Sequence, residues 1–346
     1  MRTVFLDYQT VSSGDLDPAA LERAAGDIRF YPLSSELEIG ERIANAEVVL
    51  TNKVKLSRER IGAAPALKLI ALAATGTDNV DLTAARERGI AVCNVHSYCT
   101  ASVVQHAWAM ILALTQHLAG YTRIATDGTW GRKEEYAVLA YPIRELAGRT
   151  FGIIGWGTLG RGAARIAEAF GMQVAVARRP GEAGRSRESS GLAETRGSDE
   201  TRGSDETGGC GASGPARLPL EELLRGADVV SLHCPLTPAT RGLIGVRELS
   251  LMKPNALLIN TARGALVDGH ALAAALKAGR LAGAGIDVLP HEPPLEGDPL
   301  LDPAIPNLIV TPHVAWAARD ARQRCLDEMA ANIEDFLRGG RRGRVV

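Results

Sequence analysis

The sequence is poor in several things at once. Aromatic residues fill only 4% of the 346 positions, and the charges nearly cancel, 39 basic against 40 acidic. A formal balance of -1 creates no field that would draw the chain to nucleic acid or to an anionic membrane surface. Cysteines number five (Cys93, Cys99, Cys210, Cys234, Cys325), and no two stand in C-x-x-C spacing. An odd count without pairing suits reduced thiols rather than a disulfide framework. No H-E-x-x-H stretch and no Cys/His cluster is present, so nothing points to a metal. Long apolar runs are missing too. The most apolar segment, "SVVQHAWAMILALTQHLAG", is interrupted by Gln105, His106, Gln116 and His117, and reads as a buried helix rather than a bilayer span. Asp7 precedes any apolar run that could serve as a signal peptide. The expectation is a cytoplasmic protein without membrane, nucleic-acid or metal partners.

What is present is a regular alternation. Hydrophobic residues at 46% and this length suit two domains with separate cores. In residues 1–98, "TVFL", "IRFY", "EVVLT", "KLIAL" and "IAVC" read as strands separated by helical stretches. The alternation restarts at 150 with "TFGII", "MQVAVA", "DVVSL", "ALLIN", "GAGID" and "LIVT". Strand–helix alternation implies parallel sheets wrapped by helices, so the fold class is α/β with two such units in tandem. Asp268 is the expected N-cap of "GHALAAALKA", and Gly279 stands where that helix should stop. A last helix over 317–338 places Cys325, Leu326, Met329, Ile333, Phe336 and Leu337 on one stripe, which needs a hydrophobic surface to cover.

Residues 181–215 fit neither unit. They hold one large aliphatic residue, Leu192, and repeat "ETRGSD" at 194–199 and 200–205. Such a composition cannot bury enough surface to order itself, so a solvated, flexible insertion is expected.

"TFGIIGWGTLGRG" carries G-x-G-x-x-G at Gly155, Gly157 and Gly160, directly after a strand and before a helix. In that context the motif is a dinucleotide turn: Gly155 permits the bend, Gly157 admits the pyrophosphate, and Gly160 lets helix pack on strand. The next strand should end near the adenosine ribose. It ends in Arg178 and Arg179, where a carboxylate would take the ribose hydroxyls. Arginine repels no 2′-phosphate and can hold one bidentately, so NADP(H) is favoured, with NAD(H) as the other coenzyme to consider.

Three later stretches, "NTARGALVD", "GIDVLPHEPP" and "TPHVAW", follow strands at the edge where open α/β sheets bind ligands. They offer Arg263 to clamp a carboxylate, His313 to move a proton, and Glu292 to orient that histidine. His106 and His117 read as packed or capping residues. His233 could line the cofactor site without reacting, and His291 points elsewhere.

In sum of motifs the chain resembles the D-isomer-specific 2-hydroxyacid dehydrogenase family. The resemblance rests on "AATGTDNVDL", "GIIGWGTLG", "DVVSLHCPLTPATRGLI", "LMKPNALLINTARGALVD", "GIDVL", "EPP" and "TPHVAWAA", in the family's order and over all but the insertion. Trp316, and the lack of a further C-terminal regulatory domain, resemble the glycerate dehydrogenase/hydroxypyruvate reductase subgroup. The resemblance implies two Rossmann-like or flavodoxin-like domains with the active site in their cleft. Residues 1–98 with 317–346 would form the substrate domain, and 99–316 the NAD(P) domain. It implies reduction of a small 2-oxo acid, hydroxypyruvate or glyoxylate foremost, to the D-2-hydroxy acid, with Arg263, Glu292 and His313 as the catalytic set. Thr75 and Gly76 would bind the substrate carboxylate, beside Trp316. Thr158 and Leu159 would meet the pyrophosphate, Cys234 the adenosine side, and Thr261, Ala262 and Asp287 the nicotinamide side. Helices around 100–140 would form a homodimer. A broader D-2-hydroxyacid or phosphoglycerate-type dehydrogenase, and a nucleotide-sensing co-repressor, are the alternatives. One departure stands out: "NVHSYCT" places His96 and Ser97 where the subgroup often has Pro-Gly.

Overall fold

The computed structural model describes residues 1–132, 136–179 and 214–346. Most of the repeat-bearing 181–215 stretch therefore lies outside the described residues. The chain divides into two compact units, Met1–His106 with His313–Val346, and Ala107–Pro312. Both are α/β with parallel sheets, the fold class the sequence implies.

The first unit holds strands β1 (Arg2–Phe5), β2 (Asp27–Phe30), β3 (Val48–Thr51), β4 (Leu69–Leu72) and β5 (Ala91–Cys93), in the order β2-β1-β3-β4-β5, all parallel. Side chains alternate across a strand, and both faces are covered at β3, β4 and β5, which is why those strands read as nearly unbroken apolar runs. Phe5, Val48, Leu50, Leu69, Ala71 and Cys93 belong to one core. Val4, Leu6, Val49, Ile70, Leu72 and Val92 belong to the other. The final helix, Arg319–Leu337, buries Cys325, Leu326, Met329 and Ile333 in the first of these cores. Leu337, placed on the same stripe from sequence, is 55% exposed, because the helix ends there and its last turn overhangs the core. Arg322 fastens this helix through a two-pronged pair with Asp15 (2.9 and 2.6 Å) and a bond to the Val11 carbonyl.

The second unit holds β6 (Thr150–Ile154), β7 (Gln173–Ala177), β8 (Ala216–Leu218), β9 (Val229–Leu232), β10 (Leu257–Asn260), β11 (Gly283–Ile286) and β12 (Leu308–Val310). They are ordered β12-β11-β10-β9-β6-β7-β8. The chain leaves β6 to one side for β7 and β8, then returns to β6's other side for β9. That reversal is a topological switch point, where doubly wound sheets bind ligands. The helix Gly269–Lys277 begins as expected: Asp268 accepts from the Ala271 amide, and Gly279 takes φ +65° after its end.

One helix differs from its expectation. The apolar run 102–120 is broken: Thr100–Thr115 ends, His117 turns left-handed at φ +47°, and Leu118–Thr126 follows. The Thr115 carbonyl there accepts from the Arg144 amide, a tertiary bond that no local pattern announces. Among the described residues no helix is long and apolar enough to cross a membrane.

Candidate active site

In the second unit the glycine turn follows β6. Gly155 has φ +108°, and a Cβ there would lie 2.5 Å from the His233 carbonyl, so the turn is pressed against the exit of β9. A Cβ on Gly160 would strike the Gly155 carbonyl. Gly157 is different: it caps the helix Thr158–Ala169 in extended conformation, and a Cβ would meet nothing within 4 Å. Its smallness serves no packing within the protein, so the space beside it is available to a ligand. Thr158 and Leu159 open the helix, whose first-turn amides have no intrahelical partner.

Arg178 follows β7. Its backbone amide donates to the Leu218 carbonyl at 2.8 Å and its Nε to the Arg217 carbonyl at 3.2 Å, so β8 fixes both its main chain and its guanidinium. Arg179 is exposed beside it.

Near the end of β9 stands Ser231, fully buried, whose hydroxyl meets His233 Nε2 at 2.9 Å. His233 keeps some surface, but its Nδ1 is sealed from solvent without a hydrogen-bond partner, and burial pushes its pKa down to about 4. Cys234 is half-buried, and burial raises its thiol above the usual range. On β10 the buried Asn260 side chain organises the following turn: Oδ1 accepts from the Ala262 amide and Nδ2 donates to the Arg263 carbonyl. Arg263 Nη1 donates to the Ala262 carbonyl at 2.8 Å. Thr261 Oγ1 is buried without a partner.

β11 leads to Asp287, 1% exposed, which accepts from the Thr311 hydroxyl at 2.6 Å. Glu292 is exposed and its Oε1 accepts from the Leu289 amide, closing the loop on itself. Gly264 touches the Leu289–Pro290 backbone so closely that no Cβ would fit. The turn bearing Arg263 and the loop bearing Glu292 are thereby packed together, while His291 is exposed.

In the first unit the corresponding edge is laced by side chains. Asp7, 2% exposed, accepts from the backbone amides of Asn52, Lys53 and Val54. Asn79 Nδ2 donates to the Asn52 and Val54 carbonyls. Thr75 donates to the Val95 carbonyl, and Asn94 to the Thr75 carbonyl, so the Thr75–Gly76 loop is tied to the end of β5. His313 has φ +56°, and Trp316 Nε1 donates to its carbonyl at 2.9 Å, making "HVAW" one tight turn. Ser102 anchors that turn through the Ala315 carbonyl at 2.6 Å.

Asn260, Ser231 and Asp7 were not singled out from sequence. Each is a polar residue at or just beyond the end of an apolar strand, and that is the signal that could have found them. A cavity of about 360 Å³ lies at the opposite, amino edge of the seven-stranded sheet, among Arg149, Asp228, Leu257 and Ala282. None of the candidate residues lines it. Among the described residues no group of three His, Cys, Asp or Glu could hold a metal.

Residues 108–201 and 193–315 match the sequence profile described as "D-isomer specific 2-hydroxyacid dehydrogenase, NAD binding domain". The chain belongs to the D-isomer-specific 2-hydroxyacid dehydrogenase family. It is 41% identical over 302 residues to the glycerate dehydrogenase of Methylorubrum extorquens, covering 87% of this chain and 86% of that protein. It is 34% identical over 342 residues to the hydroxypyruvate reductase of Blautia hydrogenotrophica, covering 98% of each. The crystal structure of TT0316 protein from Thermus thermophilus superposes with a TM-score of 0.81 at 33% identity over the whole of both chains. As a member of this family the chain is an NAD(P)-binding 2-hydroxyacid dehydrogenase. The second unit fits a dinucleotide on its own evidence. Two buried polar atoms, Thr261 Oγ1 and His233 Nδ1, lack partners at the ends of adjacent strands, and Gly157 leaves room beside a free helix end.

Proposed function

We propose that this dehydrogenase reduces a small 2-oxo acid, hydroxypyruvate or glyoxylate, to the D-2-hydroxy acid, and that it prefers NADPH. The substrate class is supported by the names of its relatives: a glycerate dehydrogenase, a hydroxypyruvate reductase, and at 34% identity a glyoxylate reductase of Thermococcus litoralis. The coenzyme preference is carried by one observation, the guanidinium of Arg178 held by β8 beside the end of β7.

The coenzyme supplies the hydride that reaches the keto carbon. Arg263, at the carboxyl edge of β10, holds the substrate carboxylate and polarises the carbonyl, while the backbone of Thr75 and Gly76 takes the carboxylate's remaining oxygen. His313 donates a proton to the forming alkoxide oxygen, so the C=O group becomes CH–OH with hydride and proton both accounted for. Glu292 sets the tautomer of that imidazole. Thr261, Ala262 and Asp287 serve the nicotinamide side, Cys234 the adenosine side, and Trp316 fixes the turn that carries His313. The substrate domain in this reading is the amino-terminal α/β unit completed by the last helix. The working form is a cytoplasmic homodimer.

Steady-state rates for hydroxypyruvate, glyoxylate, pyruvate and 3-phosphohydroxypyruvate, each with NADPH and NADH, test the assignment. The highest kcat/KM should fall on hydroxypyruvate or glyoxylate with NADPH. A preference for the phosphorylated acid, or an even response to all four, would replace it with a phosphoglycerate-type or broad-range dehydrogenase. His313→Ala should lower kcat by at least about a hundredfold while NADPH still binds. Turnover close to the wild-type value would remove His313 from proton transfer.

A further inference from the structure

We propose that Arg217, on the three-residue edge strand β8, is a specificity-determining residue for the coenzyme, binding the 2′-phosphate of NADPH together with Arg178. The inference rests on the reading that Arg178 selects NADPH.

β8 pairs in parallel with β7 in the register Ala175↔Ala216, Val176↔Arg217, Ala177↔Leu218. Partners across a ladder point to the same face, and so do residues two apart on one strand. Arg217 therefore shares a face with Val176, and Arg178, one residue past β7 with its amide still bonded to the Leu218 carbonyl, continues the same alternation. Diagonal neighbours of this kind stand about 7–8 Å apart, a gap that two arginines span together. The backbone of Arg217 reinforces the pairing, because its carbonyl accepts the Arg178 Nε–H at 3.2 Å. That bond uses the inner nitrogen of Arg178 and leaves the two outer Nη groups to meet a ligand. Val176, their neighbour on that face, is 1% exposed.

The electrostatics argue for a ligand. Arg217 is exposed, and among the described residues it makes no ion pair; Glu221, a few positions on, is engaged by Arg247 and Arg225. Guanidinium groups on neighbouring strands repel one another, a cost that no ion pair of Arg217 relieves among the described residues. A dianionic phosphate monoester relieves it and is matched by two planar donor forks. Two of the strand's three residues are exposed, and its register places one more arginine alongside the end of β7.

Calorimetric titration of the full-length protein with NADPH, NADH and adenosine 2′,5′-bisphosphate tests this, since the last carries the phosphate without the nicotinamide. Arg217→Ala should raise the Kd for NADPH and for the bisphosphate about tenfold and leave NADH within about twofold. Arg217→Lys should recover part of the loss, and Arg217→Glu should exceed it. The slope of log Kd against log salt should become shallower for the alanine variant with NADPH alone. If Arg178→Ala loses NADPH affinity while Arg217→Ala does not, Arg217 is an exposed edge charge and the inference fails by itself. If neither variant changes NADPH relative to NADH, the reading of Arg178 falls, and this inference with it. A variant that lost both coenzymes equally would mark a structural role and equally overturn the assignment.

Discussion

At the level of single side chains, the His233 ring is shut away from water on its Nδ1 side although the residue keeps some surface. Its Nε2 is committed to Ser231 and its Nδ1 is enclosed without a partner, so the ring is held neutral with a pKa pushed down to about 4. In the unfolded chain the same ring takes up a proton near pH 6.5. Between these values the unfolded state binds more protons, so stability falls as pH falls from 6.5 towards 4, and the full contribution is present above 6.5. The swing is at most about 3 kcal/mol. His233→Gln removes it. Urea unfolding at pH 7 and pH 5 should show the wild type losing more stability over that interval than the variant. Equal losses would mean that His233 is solvated in the folded protein. The same neutral ring suits a position beside a bound dinucleotide, where it can offer a hydrogen bond without adding charge.

At the scale of elements, legibility followed burial. The inner strands are legible because both their faces are covered, so that "VVLT" or "LLIN" is apolar at nearly every step. β8 could not be read: "ARL" has two exposed residues and is a strand only because β7 offers an edge. The break at His117 was equally hidden, being set by bonds to residue 144 rather than by its neighbours. In the candidate site, the glycine turn and Arg263, Glu292 and His313 announced themselves by motif, whereas Asn260 acts through a turn geometry that sequence spacing does not express. The two glycines of the turn can be separated experimentally. Gly155→Ala places a methyl against the His233 backbone at positive φ and should destabilise the fold by more than about 2 kcal/mol. Gly157→Ala meets nothing in the protein and should leave the melting temperature within about 2 °C, yet raise the Kd for NADPH at least about tenfold. Differential scanning calorimetry with coenzyme titration checks both, and unchanged NADPH affinity in Gly157→Ala would sink the placement of the pyrophosphate. The cap on Gly269–Lys277 gives a simpler case. Asp268→Ala leaves the Ala271 amide without its acceptor and should cost about 1 kcal/mol in urea unfolding. A loss under a few tenths would show that water replaces the cap.

For the whole molecule, the distribution of exposed apolar surface is uneven. Within residues 118–143, Leu118, Trp130, Tyr136, Leu139 and Ile143 are all at least 50% exposed, Tyr136 and Leu139 almost entirely. Residues near its two ends are bonded together. The Tyr121 hydroxyl both donates to the Tyr141 carbonyl and accepts from its amide, and the Tyr141 ring stacks on His117 at 5.4 Å between centroids. An apolar surface left open to water is costly unless something covers it. The proposed homodimer supplies that cover from a second copy of the same segment, since a two-fold interface pairs a patch with itself. Two measurements follow. Sedimentation velocity should show twice the chain mass at micromolar concentration, and the melting temperature should rise with protein concentration, as it does when association is linked to folding. Leu139→Asp with Ile143→Asp should shift the sedimenting species to a single chain without changing the far-ultraviolet dichroism of the folded units. A wild-type protein that sediments as one chain throughout would mean that this surface awaits some other partner, and the dimer would have to be given up.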